Sequence, residues 1–191
     1  MTTLEEYYAA VADFLELSER VGDGWSRFSS EDIRSPCFEM IRRRQTHSRR
    51  LTADAPPDII FFDYHVYFNE AFAVPQLLFS ACRPDGSLVP LTTLHELIPK
   101  HLLPEASERE LVWETLSQIE HPILHCPIYA LHPCQTAAFI RKIRSFSKSW
   151  LLSWLSSVGP AVGLELSPQY GIISHTDNIT SINTLEHPIS T

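Results

Sequence analysis

One stretch, DIIFFDYHVYFN at positions 58–69, limits what this chain can fold into more than any other part of it. Phe62 and Val66 fall on one side of an alternating pattern, and Asp63 and His65 fall on the other. A period of two in aromatic and β-branched residues predicts a β-strand with at least one face in a core. Such a strand needs neighbours on both edges, so the chain must build a sheet around it.

The neighbouring segments supply further strands. VPQLLFSACR (74–83) is a second strong candidate, and Pro75 belongs near its beginning or at a sheet edge. WSRFS (25–29) and CFEMIRR (37–43) are predicted as shorter strands. Because the connection between 58–69 and 74–83 is short, we expect an antiparallel sheet of four strands or slightly more.

Helices are predicted on both sides of these strands in the chain. Thr3 and Glu6 have the spacing of a capping box, which marks the start of an amphipathic helix. Thr136 is a predicted N-cap for a helix over about 137–144, and WLLSWLSSV (150–158) carries an apolar stripe. Helices and an antiparallel sheet in separate runs indicate the α+β class.

Charge and composition exclude several functions. A net charge of −8 and a pI near 5.5 argue against a nucleic-acid binder. No apolar run approaches the roughly 20 residues of a membrane helix, and the acidic start MTTLEEYY does not resemble a signal peptide. The 4 cysteines are too few for a disulfide scaffold. We therefore expect a reduced cytoplasmic protein with one domain over 1–171 and a flexible tail over 172–191.

A basic segment, 41–57, stands apart from this acidic background. Five arginines lie within 42–50, and prolines 56 and 57 indicate a loop. We favour a variable, solvated strand end and loop over a partner-binding patch.

The triplet His132-Pro133-Cys134 raises the question of chemistry. Prolines at 122, 127 and 133 predict an extended approach to Cys134, which then precedes the predicted helix. Unpaired N–H groups at a helix start favour a thiolate, so Cys134 is a candidate nucleophile for acyl transfer through a thioester. From the residues alone, a buried structural thiol is an equal alternative.

Other interpretations of the cysteines and histidines stay open. Five potential zinc ligands lie within 14 residues, although their spacing matches no standard zinc module: His121, His125, Cys126, His132 and Cys134. The spacing of Cys126 and Cys134 gives little support for redox chemistry. We expect Cys37, Cys82 and Cys126 to be small buried residues. His65 or His95 remains a candidate for a remote base.

Three segments resemble the autophagy ubiquitin-like-conjugating enzymes: EHPILHCPIYALHPCQT (120–136), the strand region 64–96, and SWLSSVGPAVGLELSPQY (153–170). The resemblance implies a ubiquitin-conjugating-enzyme-like core with helices after the cysteine. It also implies that Cys134 accepts autophagy-related protein twelve from the activating enzyme, autophagy-related protein seven. The acyl group would then pass to a lysine of autophagy-related protein five. No cofactor is implied, because the activating enzyme uses the ATP.

The same resemblance suggests supporting residues. His132 would bind the thioester carbonyl or orient the lysine, with an equal alternative that it holds the backbone of the loop, and Pro133 would set the local geometry. Tyr64 would lie beside the site, although a place in the core is favoured for its ring. The phosphatidylethanolamine-directed relatives carry a long acidic insertion, so the short basic segment here favours a protein lysine as acceptor. Apart from the resemblance, an exposed sheet edge at the strand near Pro75 would pair with a strand of the target. The protein itself would be recruited peripherally to the forming autophagosome membrane. A non-catalytic scaffold with this fold is the alternative.

Overall fold

The computed structural model describes residues 2–28, 40–49, 57–97 and 116–173. The helices are α1 (Leu4–Val21), α2 (Leu91–Leu97), α3 (Thr136–Ile143) and α4 (Trp150–Val158). The strands are β1 (Ser26–Phe28), β2 (Met40–Arg49), β3 (Asp58–Asn69), β4 (Val74–Cys82), β5 (Leu116–Glu120) and β6 (Pro127–Leu131). Single 3₁₀ turns cover Pro133–Gln135 and Gly159–Val162.

The strands form one antiparallel sheet in the order β1-β2-β3-β4-β6-β5. The long strand β3 lies near the middle of the sheet, as its pattern predicted, with Tyr64 opposite Phe79 on β4. The sheet therefore confirms the antiparallel prediction, and it has six strands in the described residues. Pro75 is the second residue of β4, which confirms its predicted place near the beginning of the strand. The alternative of an edge strand is wrong, because β4 pairs with β3 on one side and with β6 on the other.

The basic segment is largely a strand. β2 pairs with β3 from Ile41 through Arg49, so the strand continues past the predicted end at Arg43, and the prediction of a loop is wrong for residues 44–49. A long central strand gains backbone hydrogen bonds from a partner of matching length. The side chains of β2, including its arginines, point alternately to the two faces of the sheet. Exposed Arg44 forms a forked contact with Asp63, with N–O distances of 2.9 and 2.6 Å. Residues 50–56 lie outside the described part of the chain.

The sheet has a core on each face. The larger core packs α1, α4 and the last described segment against one face of β3 and β4. Two buried tyrosines pin it, because Tyr7 donates to the Val66 carbonyl (3.1 Å) and Tyr64 donates to the Val162 carbonyl (3.0 Å). The smaller core on the opposite face contains Met40, Tyr67, Leu78, Ile123, Ile128 and Ala130. Burial on both faces explains why β3 and β4 are apolar along most of their length.

The helix ends follow the sequence in one case and depart from it in another. The predicted capping box is present, since Thr3 Oγ1 accepts from Glu6 N (3.1 Å) and Glu6 Oε2 accepts from Thr3 N (2.9 Å). The predicted N-cap at Thr136 is wrong, because a 3₁₀ turn leads directly into α3 and Thr136 N–H donates to the Pro133 carbonyl.

The end of the described chain bears on the predicted tail and on membrane insertion. Residues 169–173 are helical, so the predicted tail begins with helical residues, and its part from 174 onward lies outside the described residues. No helix in the described ranges is both long and apolar enough to cross a membrane.

Candidate active site

Cys134 lies in the 3₁₀ turn between the end of β6 and the first residue of α3. Its neighbour Pro133 is buried, whereas Cys134 itself is exposed. A buried proline with a fixed φ angle holds the turn against the protein and leaves the adjacent thiol at the surface. The arrangement agrees with a reactive thiol, and the alternative of a buried structural thiol at Cys134 is wrong.

His132 caps the turn that carries the cysteine. Its Nδ1 accepts a hydrogen bond from the backbone N–H of Cys134 at 3.2 Å. A neutral imidazole that accepts through Nδ1 carries its proton on Nε2, so this exposed ring presents a donor to its surroundings. The Phe72 ring, from the β3–β4 connection, packs edge-on against the His132 ring with centroids 5.6 Å apart. His132 therefore contributes both to the shape of the turn and to the polarity beside it.

The remote histidine His65 is committed elsewhere. It is buried on β3, and its Nδ1 lies 2.7 Å from Nε2 of buried His121. Burial and the neighbouring His121 lower the pKa of His65 to about 4. We therefore assign His65 to the packing of the second sheet face rather than to proton transfer at Cys134. The side chain of His95 lies outside the described residues.

The candidate zinc ligands point to separate partners. His121 Nδ1 accepts from the backbone N–H groups of Ile123 and Leu124, both at 3.0 Å. Exposed His125 contacts Glu120, with 2.7 Å between Nδ1 and Oε1. Within the described ranges, no three histidine, cysteine or acidic side chains are grouped so that they could hold a metal ion.

The remaining predicted positions divide between core and surface. Tyr64 is fully buried, as favoured for its ring, and its hydroxyl donates a hydrogen bond to the Val162 carbonyl. Cys82 is partly buried at the end of β4, and it and Cys126 are free thiols. The expectation of a buried Cys126 is wrong, because this residue lies exposed in the tight β5–β6 connection. Cys37 lies outside the described residues.

Two residues beside the turn were missed from the sequence. Phe72 lies in the predicted connection between two strands, and its ring contacts His132. Gln76 lies inside a predicted strand, and its side chain donates to the carbonyl of Leu131, immediately before His132. The available signal was a single polar residue inside the apolar run VPQLLF (74–79), since a buried polar side chain requires a partner.

An antiparallel sheet covered by an N-terminal helix, with an exposed cysteine just before a following helix, defines a transferase of the ubiquitin-conjugating type. The comparison with protein families specifies the family of this transferase. The chain belongs to the family described as "Autophagocytosis associated protein, active-site domain", whose model matches residues 13–169. The resemblance seen in the sequence is thereby confirmed, and the protein is a conjugating-enzyme-type transferase of autophagy.

Individual relatives agree with the family assignment. The human "Ubiquitin-like-conjugating enzyme ATG10" is 28% identical in an alignment that covers 87% of this chain and 90% of the human protein. The protein of that name from Arabidopsis thaliana is 30% identical over 115 residues, covering 56% of this chain and 50% of its own length. The one from Dictyostelium discoideum is 28% identical over 123 residues, covering 56% and 53%. These relatives carry the name of the family member, autophagy-related protein ten, that the motif around Cys134 resembles.

Proposed function

We propose that Cys134 carries the C-terminus of the ubiquitin-like autophagy-related protein twelve as a thioester and passes it to a lysine of autophagy-related protein five. The activating enzyme, autophagy-related protein seven, supplies the charged protein and uses the ATP. We place the reaction in the cytoplasm, because the free thiols of Cys82, Cys126 and Cys134 suit a reducing compartment. Residues 1–171 act as one catalytic domain in this proposal.

The observation that carries the proposal is the exposed Cys134 on a turn that its own neighbours hold in place. The N–H of Cys134 is bound by His132, and buried Pro133 anchors the turn. Reactions between two large proteins at one sulfur atom require the thiol to protrude and to keep its orientation. The exposure of Cys134 and the anchored backbone of its turn support the proposal.

Charging exchanges one thioester for another. The Cys134 thiolate attacks the thioester carbonyl on the activating enzyme, and the tetrahedral oxyanion then expels that enzyme's cysteine thiolate. One C–S bond forms and one breaks, so no oxidant or further ATP is needed at this step. In this proposal the Nε2–H of His132, whose Nδ1 accepts from the Cys134 N–H, donates to the oxyanion.

Transfer replaces the C–S bond with an amide bond. The neutral amine of the target lysine attacks the same carbonyl, the Cys134 thiolate leaves, and the amine proton passes to water or to the thiolate. Removing the lysine from water between the two proteins lowers its pKa and raises the neutral fraction. His132 cannot accept this proton at Nδ1 without breaking the hydrogen bond that Nδ1 accepts from the Cys134 N–H. This supports a role for the ring as a hydrogen-bond donor.

The role of His132 gives a testable prediction. We expect His132→Ala to slow discharge of the thioester by about tenfold, because the Cys134 N–H loses its acceptor. His132→Asn should recover much of the rate, since a short amide oxygen also accepts from a turn N–H. Single-turnover assays measure the discharge rates of both variants. His125→Ala is the control, because exposed His125 contacts Glu120 and not the turn. Equal discharge by the parent and His132→Ala would contradict the assignment.

The acceptor can be tested on the charged parent. The protein is charged with activating enzyme and ATP, the ATP is removed, and either autophagy-related protein five or vesicles containing phosphatidylethanolamine are added. We expect a reductant-resistant adduct on the protein lysine and none on the lipid, as read on reducing and non-reducing gels. A lipid adduct without a protein adduct would reverse the proposed acceptor, and a parent that never forms a thioester would overturn the proposed function.

A further inference from the structure

The end of β6 is held by a polar network that lies beside the candidate nucleophile. Gln76 is buried on β4, and its Nε2 donates to the Leu131 carbonyl at 2.9 Å. The backbone ladder between β4 and β6 pairs Phe79 with Tyr129 and Leu78 with Ala130. The Gln76 side chain continues this attachment by one residue, up to the last residue before His132.

Two further residues hold Gln76 in its orientation. The Tyr67 hydroxyl donates to Gln76 Oε1 at 2.7 Å, from the position directly opposite on β3. Asn69 Nδ2 donates to the same oxygen at 2.7 Å. Because the Leu131 carbonyl can only accept, the Gln76 amide nitrogen must face it, and the oxygen must face the two donors. The network therefore permits one orientation of the Gln76 amide.

The same network reaches the turn by a second route. Asn69 Oδ1 accepts from the backbone N–H of Phe72 at 3.3 Å, which closes the β3–β4 connection. The Phe72 ring packs against His132, whose Nδ1 holds the Cys134 N–H. The network thus reaches both residues that precede the Pro133-Cys134 pair. Gln76 contacts the Leu131 carbonyl directly. Asn69 is connected to the His132 ring through Phe72.

We propose that Gln76 is a positioning residue for Cys134, held in place by Tyr67 and Asn69. The proposal rests on the proposed function of Cys134. Gln76 does not contact the reacting atoms; it fixes where β6 ends and hence where the turn presents the thiol. A small displacement of a nucleophile at a protein–protein transfer site reduces the rate of the chemical step more than it reduces binding.

The test replaces Gln76 by methionine, which keeps the side-chain length and removes the hydrogen bonds. We expect Gln76→Met to lower the single-turnover rate of thioester discharge by about tenfold while KM for the target protein stays within about twofold of the parent. Gln118→Met is the matched control, because Gln118 is an exposed glutamine on β5 outside this network. It should discharge like the parent. Circular dichroism at the assay temperature confirms that each variant is folded.

Two further measurements separate positioning from general destabilisation. Amide hydrogen exchange at Cys134 should accelerate in Gln76→Met and stay unchanged in Gln118→Met, with no partner protein present. Tyr67→Phe should slow discharge less than Gln76→Met, and the double variant should be no slower than Gln76→Met alone, because Tyr67 acts through Gln76.

The outcomes distinguish the inference from the proposed function. If the parent forms a thioester and Gln76→Met discharges at the parent rate with unchanged exchange at Cys134, the inference is overturned while the proposed function stands. A loss that appears only in KM also overturns it, because it would assign Gln76 to binding. A parent that forms no thioester overturns the proposed function and the inference together.

Discussion

We expect Cys134→Ala to abolish thioester formation and transfer. The conjugation rate should fall by at least about a thousandfold, because the nucleophile is removed. Cys134→Ser should instead accumulate an adduct that survives reductant, since a serine oxyester is less reactive toward an amine than a thioester. Charging with the activating enzyme and ATP, followed by paired reducing and non-reducing gels, measures both results.

The controls for this prediction come from the other thiols. Cys126 is the matched control, because it is also exposed and lies only eight positions earlier in the chain. Cys126→Ala and Cys82→Ala should charge and discharge like the parent. Loss of the adduct in Cys126→Ala, together with its retention in Cys134→Ala, would move the nucleophile to the β5–β6 connection and refute the assignment.

Acid sensitivity of the buried histidine pair is the second large effect. The two backbone N–H groups that reach His121 Nδ1 require that nitrogen to be unprotonated, so the proton of the neutral ring lies on Nε2. Nε2 then donates to His65 Nδ1. A proton added to either ring removes an acceptor, and it places a positive charge in the second core beside the Phe28 ring. The hydrogen bonds from the β5–β6 connection to His121, and from His121 to His65, therefore require both rings to be neutral.

The direction of the pH effect follows from the lowered pKa values. Burial and the neighbouring His121 lower the pKa of His65 from 6.5 to about 4, with a raising contribution from Asp63 and a lowering one from Arg42. Burial and His125 lower the pKa of His121. The unfolded chain thus binds protons first. The stabilisation is complete above pH 6.5 and is lost as the pH falls toward about 4.

We expect His65 to account for a loss of a few kcal/mol in the free energy of unfolding as the pH falls from above 6.5 toward about 4. His65→Gln keeps an acceptor for the His121 N–H and does not titrate, so its unfolding free energy should fall less over this interval. Gln118→Met is the control, because Gln118 is exposed, does not titrate and should leave the pH profile of the parent unchanged. Urea unfolding across the pH range provides the comparison, and identical profiles for the parent and His65→Gln would refute the prediction.

Local patterns predicted a large part of the fold. The alternation in β3 and the capping box of Thr3 and Glu6 are properties of neighbouring residues, and the structure confirms both. Cys134 was singled out by its His-Pro context and the resemblance around it. The error in β2 has a different cause. The basic residues and prolines 56 and 57 favoured a strand end and loop, whereas the length of β3 determines how far its partner extends.

The sequence by itself determined the first four strands in outline, the first helix, the α+β class and the cysteine on which the chemistry is proposed to depend. Only the tertiary structure decided that Gln76 binds the Leu131 carbonyl and that His65 pairs with His121, across separations of 55 and 56 residues. The physical reason is that short-range backbone preferences are encoded by adjacent residues, whereas these contacts exist only after strand order and register have brought distant side chains within hydrogen-bonding distance.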